Sequence, residues 1–210
     1  EMCIRDRGGS SSGTHVLEEG RPIGQFYGLV CNGIDENGRY ILVDKDGDGE
    51  ISDPADYDYI GSAQPKLTYG ITNSFRYKNF DLSFFLRGTI GNDILNATRM
   101  AYAQSGFLPG TNALDDPLTY TLSETPRFSN YYLEKGSFMR LDNLTLGYKI
   151  KALNGIRVYF TAQNLFVITK YKGLDPEVPM DSGDGLTPGV EPREFYPKAR
   201  TFSVGLNLNF

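Results

Sequence analysis

The apolar residues near the end of the chain fall on every second position. Between Arg200 and Phe210 the large apolar side chains alternate with small or polar ones, and they are Phe202, Val204, Leu206, Leu208 and Phe210. Successive side chains of a β-strand point to opposite faces of the sheet. The pattern therefore predicts a strand with one face of large apolar groups and one polar face.

Other segments of the chain repeat this alternation. Four are clear, at Leu67–Tyr77, Phe80–Arg87, Ser137–Ile150 and Ile156–Thr169, and a weaker one at Gly24–Val30 predicts one further strand at the start of the series. Short links join two of the pairs: Lys78-Asn79, and residues 151–155 with their Asn-Gly step. Links of this kind are typical of antiparallel hairpins.

The connections between the predicted strands alternate between short and long. The long ones cover residues 31–66, 88–136 and 171–199. Compact soluble domains mostly use connections of about 4–6 residues, whereas outer-membrane barrels combine short periplasmic turns with long extracellular loops. If the C-terminus is periplasmic, every short turn falls on that side. We therefore predict an all-β, antiparallel transmembrane β-barrel segment of about six strands with long, structureless extracellular loops.

A few polar residues interrupt the apolar face of the predicted barrel. Arg140 and Asp142 share the parity of Leu144, and we expect them at the outer membrane interface. Asn73 lies in mid-strand, where a β-bulge would explain it. The opposite parity is expected to line a polar lumen with Thr68, Thr72, Ser74, Arg76, Asp81, Ser83, Arg87, Arg157 and Gln163.

The composition is consistent with strands and excludes few other functions. The 210 residues include 13 Phe, 14 Tyr and 24 Gly but no Trp, a mixture that favours strands and turns. The formal charge of -5, without a basic stripe, argues against nucleic-acid binding. No apolar run is long enough for a transmembrane helix. A search for long apolar runs does not detect barrel strands, because polar residues alternate with apolar ones in them.

The residues that could carry catalysis occur without partners. His15 has no nucleophile in a recognisable motif and is expected to be a surface or packing residue. Cys3 and Cys31 are too few for a disulfide framework or a zinc site. The carboxylates of residues 114–116 and 175–184 are expected to be solvated loop charges. We therefore predict that the chain is not an enzyme.

One acidic loop has the spacing of a calcium site. Asp44, Asp46 and Asp48 alternate with Lys and Gly, so that their side chains could ligate Ca²⁺ together with the carbonyl of Glu50. The twelfth position is Ala55 and not the bidentate Glu of an EF-hand, and Asp53 or Asp56 would have to replace it. A structural calcium site and a solvated acidic loop both remain open.

The first residues differ from the rest of the chain. Residues 1–13 show no periodicity and end in a Gly/Ser stretch, which indicates a non-native or truncated, linker-like start. Residues 14–210 are expected to form the barrel segment.

Several ordered motifs resemble one family of transporters. They are YKNFDLS (77–83), GNDI (91–94), GSFMRLDNLTLGY (136–148), QNLF (163–166), KYKGLDP (170–176) and RTFSVGLNLNF (200–210). Together they resemble the C-terminal barrel segment of SusC/RagA-type TonB-dependent outer-membrane transporters over about residues 20–210.

The resemblance implies a function that the chain would serve as part of a larger protein. It implies a barrel of about 22 strands with a separate plug, energised by TonB and located in the outer membrane of a Bacteroidetes-like cell. Such a transporter imports glycan or peptide fragments together with a SusD-like surface lipoprotein. A helical turn within residues 97–104 is expected to belong to the contact with that lipoprotein.

Two alternatives compete with this interpretation. A secreted, calcium-stabilised β-sandwich that binds carbohydrate would also explain the aromatic residues and the acidic loop, and it would bury Phe202, Val204 and Leu206 in a packed interior. A glycan-cleaving enzyme would need a cleft with paired carboxylates. The strands offer nothing that favours the enzyme.

Overall fold

The fold is that of a computed structural model, which describes residues 13–105, 108, 110, 112–150, 156–178, 187–192 and 196–208. Most of the predicted linker-like start, the Asn154-Gly155 turn and the terminal Phe210 lie outside the described residues.

The described chain forms strands, two short helices and a 3₁₀ turn. In chain order the strands are β1 (His15–Val16), β2 (Gln25–Leu29), β3 (Cys31–Ile34), β4 (Tyr40–Leu42), β5 (Tyr57–Ser62), β6 (Leu67–Tyr77), β7 (Phe80–Ile90), β8 (Asp93–Leu95), β9 (Leu133–Lys135), β10 (Phe138–Ile150), β11 (Ile156–Thr169) and β12 (Thr201–Asn207). The helices are α1 (Ala97–Tyr102) and α2 (Pro117–Thr121), and the 3₁₀ turn is Asn130–Tyr132. None of the described helices has the length and apolar character needed to cross a membrane.

The five long strands form one antiparallel sheet, which we call the wall sheet. Its order is β12-β11-β10-β7-β6. β6 and β7 pair without interruption from Tyr77 opposite Phe80 to Leu67 opposite Ile90, so the predicted turn at Lys78-Asn79 is confirmed. β11 has the bounds that its alternation predicts, and β7 runs three residues further than predicted.

The weak sixth strand does not join the wall sheet, so that part of the prediction is wrong. β2 pairs with β1 and β5 in a separate three-stranded sheet. Its five residues are too few for the 9–11 residues that a transmembrane strand needs. The Phe128 ring also packs on Gly28, so closely that a Cβ atom there would lie 2.5 Å from it.

The long connections are folded and not structureless, which corrects a second expectation. The described residues of three segments pack together into what we call the lobe: the leading segment (13–66), the middle connection (91–137) and the last connection (170–200). Its main core consists of Phe26, Cys31, Tyr40, Ala63, Leu95, Ala103, Leu118, Leu122 and Tyr132. Single bridges from Leu29 to Ser129 and from Leu95 to Val190 join the three parts.

The β-bulge of the wall sheet lies in β10 and not at Asn73. Asn73 pairs in unbroken register with Phe84, whereas the register of β10 shifts between Leu141 and Asn143 against both neighbouring strands. Asp142 is the extra residue. An extra residue reverses the alternation of the side chains that follow it, so parity alone cannot be carried through this strand.

The bulge moves Arg140 to the face opposite to the predicted one. Leu141 lies opposite Leu86 and Leu144 opposite Phe84, which places both leucines on the apolar face. Arg140 lies opposite Arg87, on the polar face. The expectation that Arg140 shares a face with Leu144 is therefore wrong.

Candidate functional site

The apolar face of the wall sheet is exposed over its whole width. At its two edge strands the exposed fractions reach 76% for Val204 and 70% for Tyr77. The other exposed apolar residues of this face include Ile71, Phe75, Phe80, Leu146, Phe160, Phe166, Ile168, Phe202 and Leu206. Monomeric soluble proteins rarely expose apolar patches of more than a few hundred Å², and larger ones mark contact with a membrane or a partner.

The opposite face of the wall sheet is polar, as the alternation predicts. Ser74, Ser83, Thr145, Thr161 and Ser203 lie side by side across all five strands. The other residues predicted for the lumen fall on this same face by their register: Thr68, Thr72, Arg76, Asp81, Arg87, Arg157 and Gln163.

An ion pair spans three strands on the polar face. Asp81 on β7 and Arg157 on β11 meet above the intervening strand β10, with Arg157 Nε 2.9 Å from Asp81 Oδ1. The pair fits because β10 carries Gly147 at this point, where a Cβ atom would lie 2.4 Å from the Arg157 guanidinium. This glycine thus makes room for an arginine to reach its partner.

An ionic cluster with one buried pair joins the polar face to the last connection of the lobe. Arg140, 1% exposed, donates to Asp175 of that connection and also to the Asn164 side chain. Arg87 donates to Glu177 at 2.6 Å and to Asp142 of the bulge at 3.2 Å. Buried charges of this kind are found paired, because desolvation of an unpaired ion is expensive.

The cluster extends to the end of the last connection, just before β12. Lys198 donates to Glu177, and the amide of Asn164 donates to the carbonyls of Lys198 and Ala199. Burial raises the pKa of Glu177, but the hydrogen bonds from Arg87 and Lys198 outweigh this effect and hold its pKa below the ordinary value. Glu177 is therefore held to the wall sheet in its ionised form.

Sequence reasoning missed the lobe side of this cluster. Asp175 is buried, and Glu177 is half-buried, where we expected solvated loop charges. Asp116 is likewise an N-cap of α2 that pairs with Arg99 at 2.8 Å. The part of the acidic stretch at 179–184 lies outside the described residues.

The structure brings together three of the predicted calcium ligands. Carboxylate oxygens of Asp44, Asp46 and Asp48 lie within 4.8 Å of one another. The Asp44 carboxylate accepts from the backbone N–H groups of Gly47 and Gly49, which wraps the loop around it. Asp53 instead pairs with Arg127 at 3.0 Å. The remaining predicted ligand, Glu50, is exposed, and its backbone N–H donates to the Asp48 carboxylate.

The clustered carboxylates of the acidic loop repel one another. A hydrogen bond from the Asp48 N–H lowers the pKa of Asp46, but desolvation and the carboxylates of Asp48, Asp56 and Asp44 outweigh it and raise that pKa. Asp56 supports the loop from inside, because it accepts hydrogen bonds from the backbone of Ser52, Lys45 and Asp46. The bonds from Ser52 and Lys45 lower its pKa.

His15 and Cys31, the other residues considered for catalysis, have structural roles. His15 is a buried packing residue, since its Nε2 lies 3.0 Å from the Pro188 carbonyl and its ring lies 4.5 Å from that of Phe26. Cys31 is buried in the lobe core, and burial raises the pKa of its thiol. Cys3 lies outside the described residues.

Comparison with known proteins places the chain in a class of receptors. No family model matches it. It is 38% identical to the TonB-dependent receptor SusC of Bacteroides thetaiotaomicron, over 96% of the chain and 21% of SusC. It is 34% identical to TonB-dependent receptor P3 of Formosa agariphila, over 94% of the chain and 23% of that protein. The chain is therefore a relative of the TonB-dependent receptors.

Comparison with solved structures indicates which type of TonB-dependent receptor the chain resembles. A chain of the RagAB peptide importer in its closed-closed state superposes with a TM-score of 0.71 and 26% identity, over 92% of this chain and 24% of that one. Within the TonB-dependent receptors the chain thus falls in the SusC/RagA type, as its motifs predict. It spans less than a quarter of the length of the curated relatives described above. Those relatives are named as receptors and not as enzymes.

Proposed function

We propose that the chain serves as one part of the barrel wall of an outer-membrane receptor that imports glycan or peptide nutrients. The observation that carries this proposal is the wall sheet, with one exposed apolar face and one polar face. Lipid is the environment in which such an apolar face is stable. A β-sandwich would bury these same side chains, and the high exposure of Val204 and its neighbours does not favour it.

The lobe occupies the extracellular side in this proposal. The long connections meet there, whereas the short turn at Lys78-Asn79 lies at the other end of the sheet and faces the periplasm, as does the end of β12. The lobe is then the part that meets substrate and the SusD-like lipoprotein, with α1 as part of that contact. TonB would act through regions of the receptor that lie outside this chain.

The acidic loop serves as a structural calcium site in this proposal. Three clustered carboxylates offer the hard oxygen ligands that Ca²⁺ prefers. A bound cation would relieve the repulsion at Asp46 and fasten the loop between β4 and β5. It would have no part in catalysis.

The membrane placement can be tested with two neighbouring positions of opposite parity. Val204→Cys and Ser203→Cys are spin-labelled, in a background without the natural cysteines, in the complete polypeptide reconstituted in lipid. We expect the label at 204 to relax with dissolved oxygen and the label at 203 with an aqueous nickel complex. A label at 204 that neither reagent reaches would indicate a packed interior and reject the barrel.

The source gene offers a second test. We expect the reading frame upstream of residue 13 to continue into further alternating strands and a plug. A frame that is confined to these residues would contradict the proposed receptor.

A further inference from the structure

A groove lies at the end of the apolar face where the wall sheet meets the lobe. Its volume is about 440 Å³, which is within the usual range for ligand sites. The wall sheet lines it with Tyr69, Ile90 and Ile168. The lobe contributes Lys135 at the end of β9 and Lys170 just after β11. The groove thus combines an apolar wall with a positively charged rim.

The wall of the groove is part of the exposed apolar face. Ile90 and Ile168 are 49% and 58% exposed, although both are large and apolar. The Tyr69 side chain lies across β7 at Gly88, where a Cβ atom would lie 2.6 Å from the tyrosine hydroxyl. That hydroxyl lies 3.4 Å from the Phe138 carbonyl on β10. A tyrosine near the end of a strand, with an apolar ring and a polar tip, is typical of a membrane interface.

The strand bounds place the groove at the level of the lipid head groups. A transmembrane strand needs about 9–11 residues, and β6 has 11. Tyr69 lies in the first turn of side chains at the lobe end of β6, and Ile90 is the last residue of β7. In the proposed orientation this end of the sheet is extracellular. The groove therefore opens to the outer leaflet of the membrane.

Hydrogen bonds fix the backbone that carries the two lysines. Thr169 Oγ1 donates to the Ser137 carbonyl at 3.0 Å, which joins the end of β11 to the start of β10. The Gly91 N–H, just after β7, donates to Ser137 Oγ at 2.9 Å. Lys135 lies shortly before Ser137 in the chain, and Lys170 follows Thr169. The spacing of the two lysines at the rim is therefore set by the fold.

The positive charges of the rim are accessible to a ligand. Lys170 is exposed, and the Lys135 side chain is 76% exposed although its Nζ lies 2.7 Å from an Asp93 oxygen. Because an ammonium group has three donors, Lys135 keeps donors for a second anion. The exposed Lys66 packs beside the groove, with its Cγ 2.9 Å from the position of a Cβ atom on Gly91.

We propose that this groove binds a phosphorylated lipid of the outer leaflet. The phosphate lies between Lys135 and Lys170, and an acyl chain lies along Tyr69, Ile90 and Ile168. Lysine binds phosphate as a point charge, and basic residues beside a membrane span attract anionic head groups. The lysine stems also cover apolar surface while their ammonium groups stay at the level of the head groups.

Other ligands of the same groove match only half of it. A free phosphate meets the two lysines but leaves the apolar wall uncovered. A zwitterionic lipid covers the wall, but its own cation lies close to the lysines and opposes their attraction for the phosphate. A lipid with a net negative head group matches both the wall and the rim.

The inference rests on the proposed function, because only a wall that faces lipid brings the groove to a head group. The two have separate tests. A receptor that passes the spin-label test at position 204 and does not prefer an acidic lipid would reject the lipid site alone. A packed label at 204 would reject the barrel and the lipid site together.

The test is lipid titration of the complete encoded polypeptide, freed of lipid in detergent, with native mass spectrometry to count each bound molecule. The probes are dioleoyl phosphatidic acid, dioleoyl phosphatidylcholine and glycerol phosphate. They share a phosphate but differ in net charge and in acyl chains. We expect phosphatidic acid to bind at least about tenfold more tightly than phosphatidylcholine, and glycerol phosphate to bind more weakly than phosphatidic acid. Equal affinity for the two lipids, or for glycerol phosphate and phosphatidic acid, would overturn the proposal.

Three variants connect the binding to the groove. Lys135→Gln and Lys170→Gln each remove the charge of an exposed side chain, and each should weaken phosphatidic acid binding about fivefold, without a change for phosphatidylcholine. Lys172→Gln is the matched control: it makes the same change shortly after Lys170, but this exposed side chain lines a different cavity. It should leave the affinity unchanged. An unchanged affinity in the Lys135→Gln/Lys170→Gln double variant, or an equal loss in Lys172→Gln, would overturn the assignment.

Discussion

Arg140 and Asp175 form an ion pair whose side chains are only 1% and 5% exposed, between residues 35 positions apart. The pair joins β10 of the wall sheet to the last connection of the lobe. This ion pair thus attaches the lobe to the wall sheet, in addition to the covalent chain. The pair therefore gives the last connection a fixed position relative to the wall sheet.

Removal of Arg140 should destabilise the protein strongly. Arg140→Met leaves Asp175 buried without a cation, and loss of one partner of a buried pair typically costs about 3–5 kcal/mol. Thermal unfolding of the complete polypeptide in detergent measures the effect.

The control for this variant is the partly exposed ion pair on the same face. Arg157→Met removes the partner of Asp81, both 27% exposed, and should cost only about 0–1 kcal/mol. The double variant Arg140→Met with Asp175→Leu should recover much of the loss. Equal effects of the two single variants would contradict a special role for the buried pair.

The attachment of the lobe should weaken in acid. The folded state holds the pKa of Glu177 below its ordinary value of 4.5, so the stability that it contributes is present above this pH and is lost as the pH falls through the folded pKa. Hydrogen exchange of residues 175–178 between pH 6 and pH 3 should report this loosening.

Glu177→Gln separates this effect from general acid unfolding. We expect the variant to exchange faster at pH 6 and to depend less on pH below 4.5. Glu36→Gln, which changes an exposed turn, should retain the full pH dependence. A pH dependence that is the same in the Glu177 variant would assign the acid sensitivity to other groups.

The wall sheet was predictable from the sequence because alternation is a local signal. The alternation within Leu67–Tyr77 and within Ile156–Thr169 predicts which side chains share a face, without knowledge of the neighbouring strands. The lobe was not predictable in this way, since its core joins residues such as Phe26 and Tyr132 that are far apart in the chain. The Arg140 site required two non-local facts: a bulge that reverses parity at Asp142, and a carboxylate from a distant connection.

The two faces of the wall sheet should respond oppositely to a charge. Leu82 and Ser83 are neighbours in the middle of β7 and point to opposite faces. If the apolar face meets lipid, as proposed, Leu82→Arg places a cation there at a cost of about 2–4 kcal/mol near the bilayer midplane, whereas Ser83→Arg places it on the polar face at little cost. The amount of folded receptor in the outer membrane measures the difference. Similar losses for both variants would indicate that Leu82 does not face lipid.

Calcium should bind at the acidic loop, and only some of its carboxylates should matter. Ca²⁺ is expected to raise the unfolding midpoint and a chelator to lower it, because ligands that bind only the folded state stabilise it. Asp46→Asn removes a clustered ligand and should weaken the affinity by about tenfold or more, since affinity follows the charge of the ligands. Asp53→Asn should leave the affinity unchanged, because Asp53 pairs with Arg127 away from the cluster. Terbium luminescence measures both affinities. If calcium does not change the unfolding midpoint of the wild-type protein, the loop is a solvated acidic turn and not a calcium site.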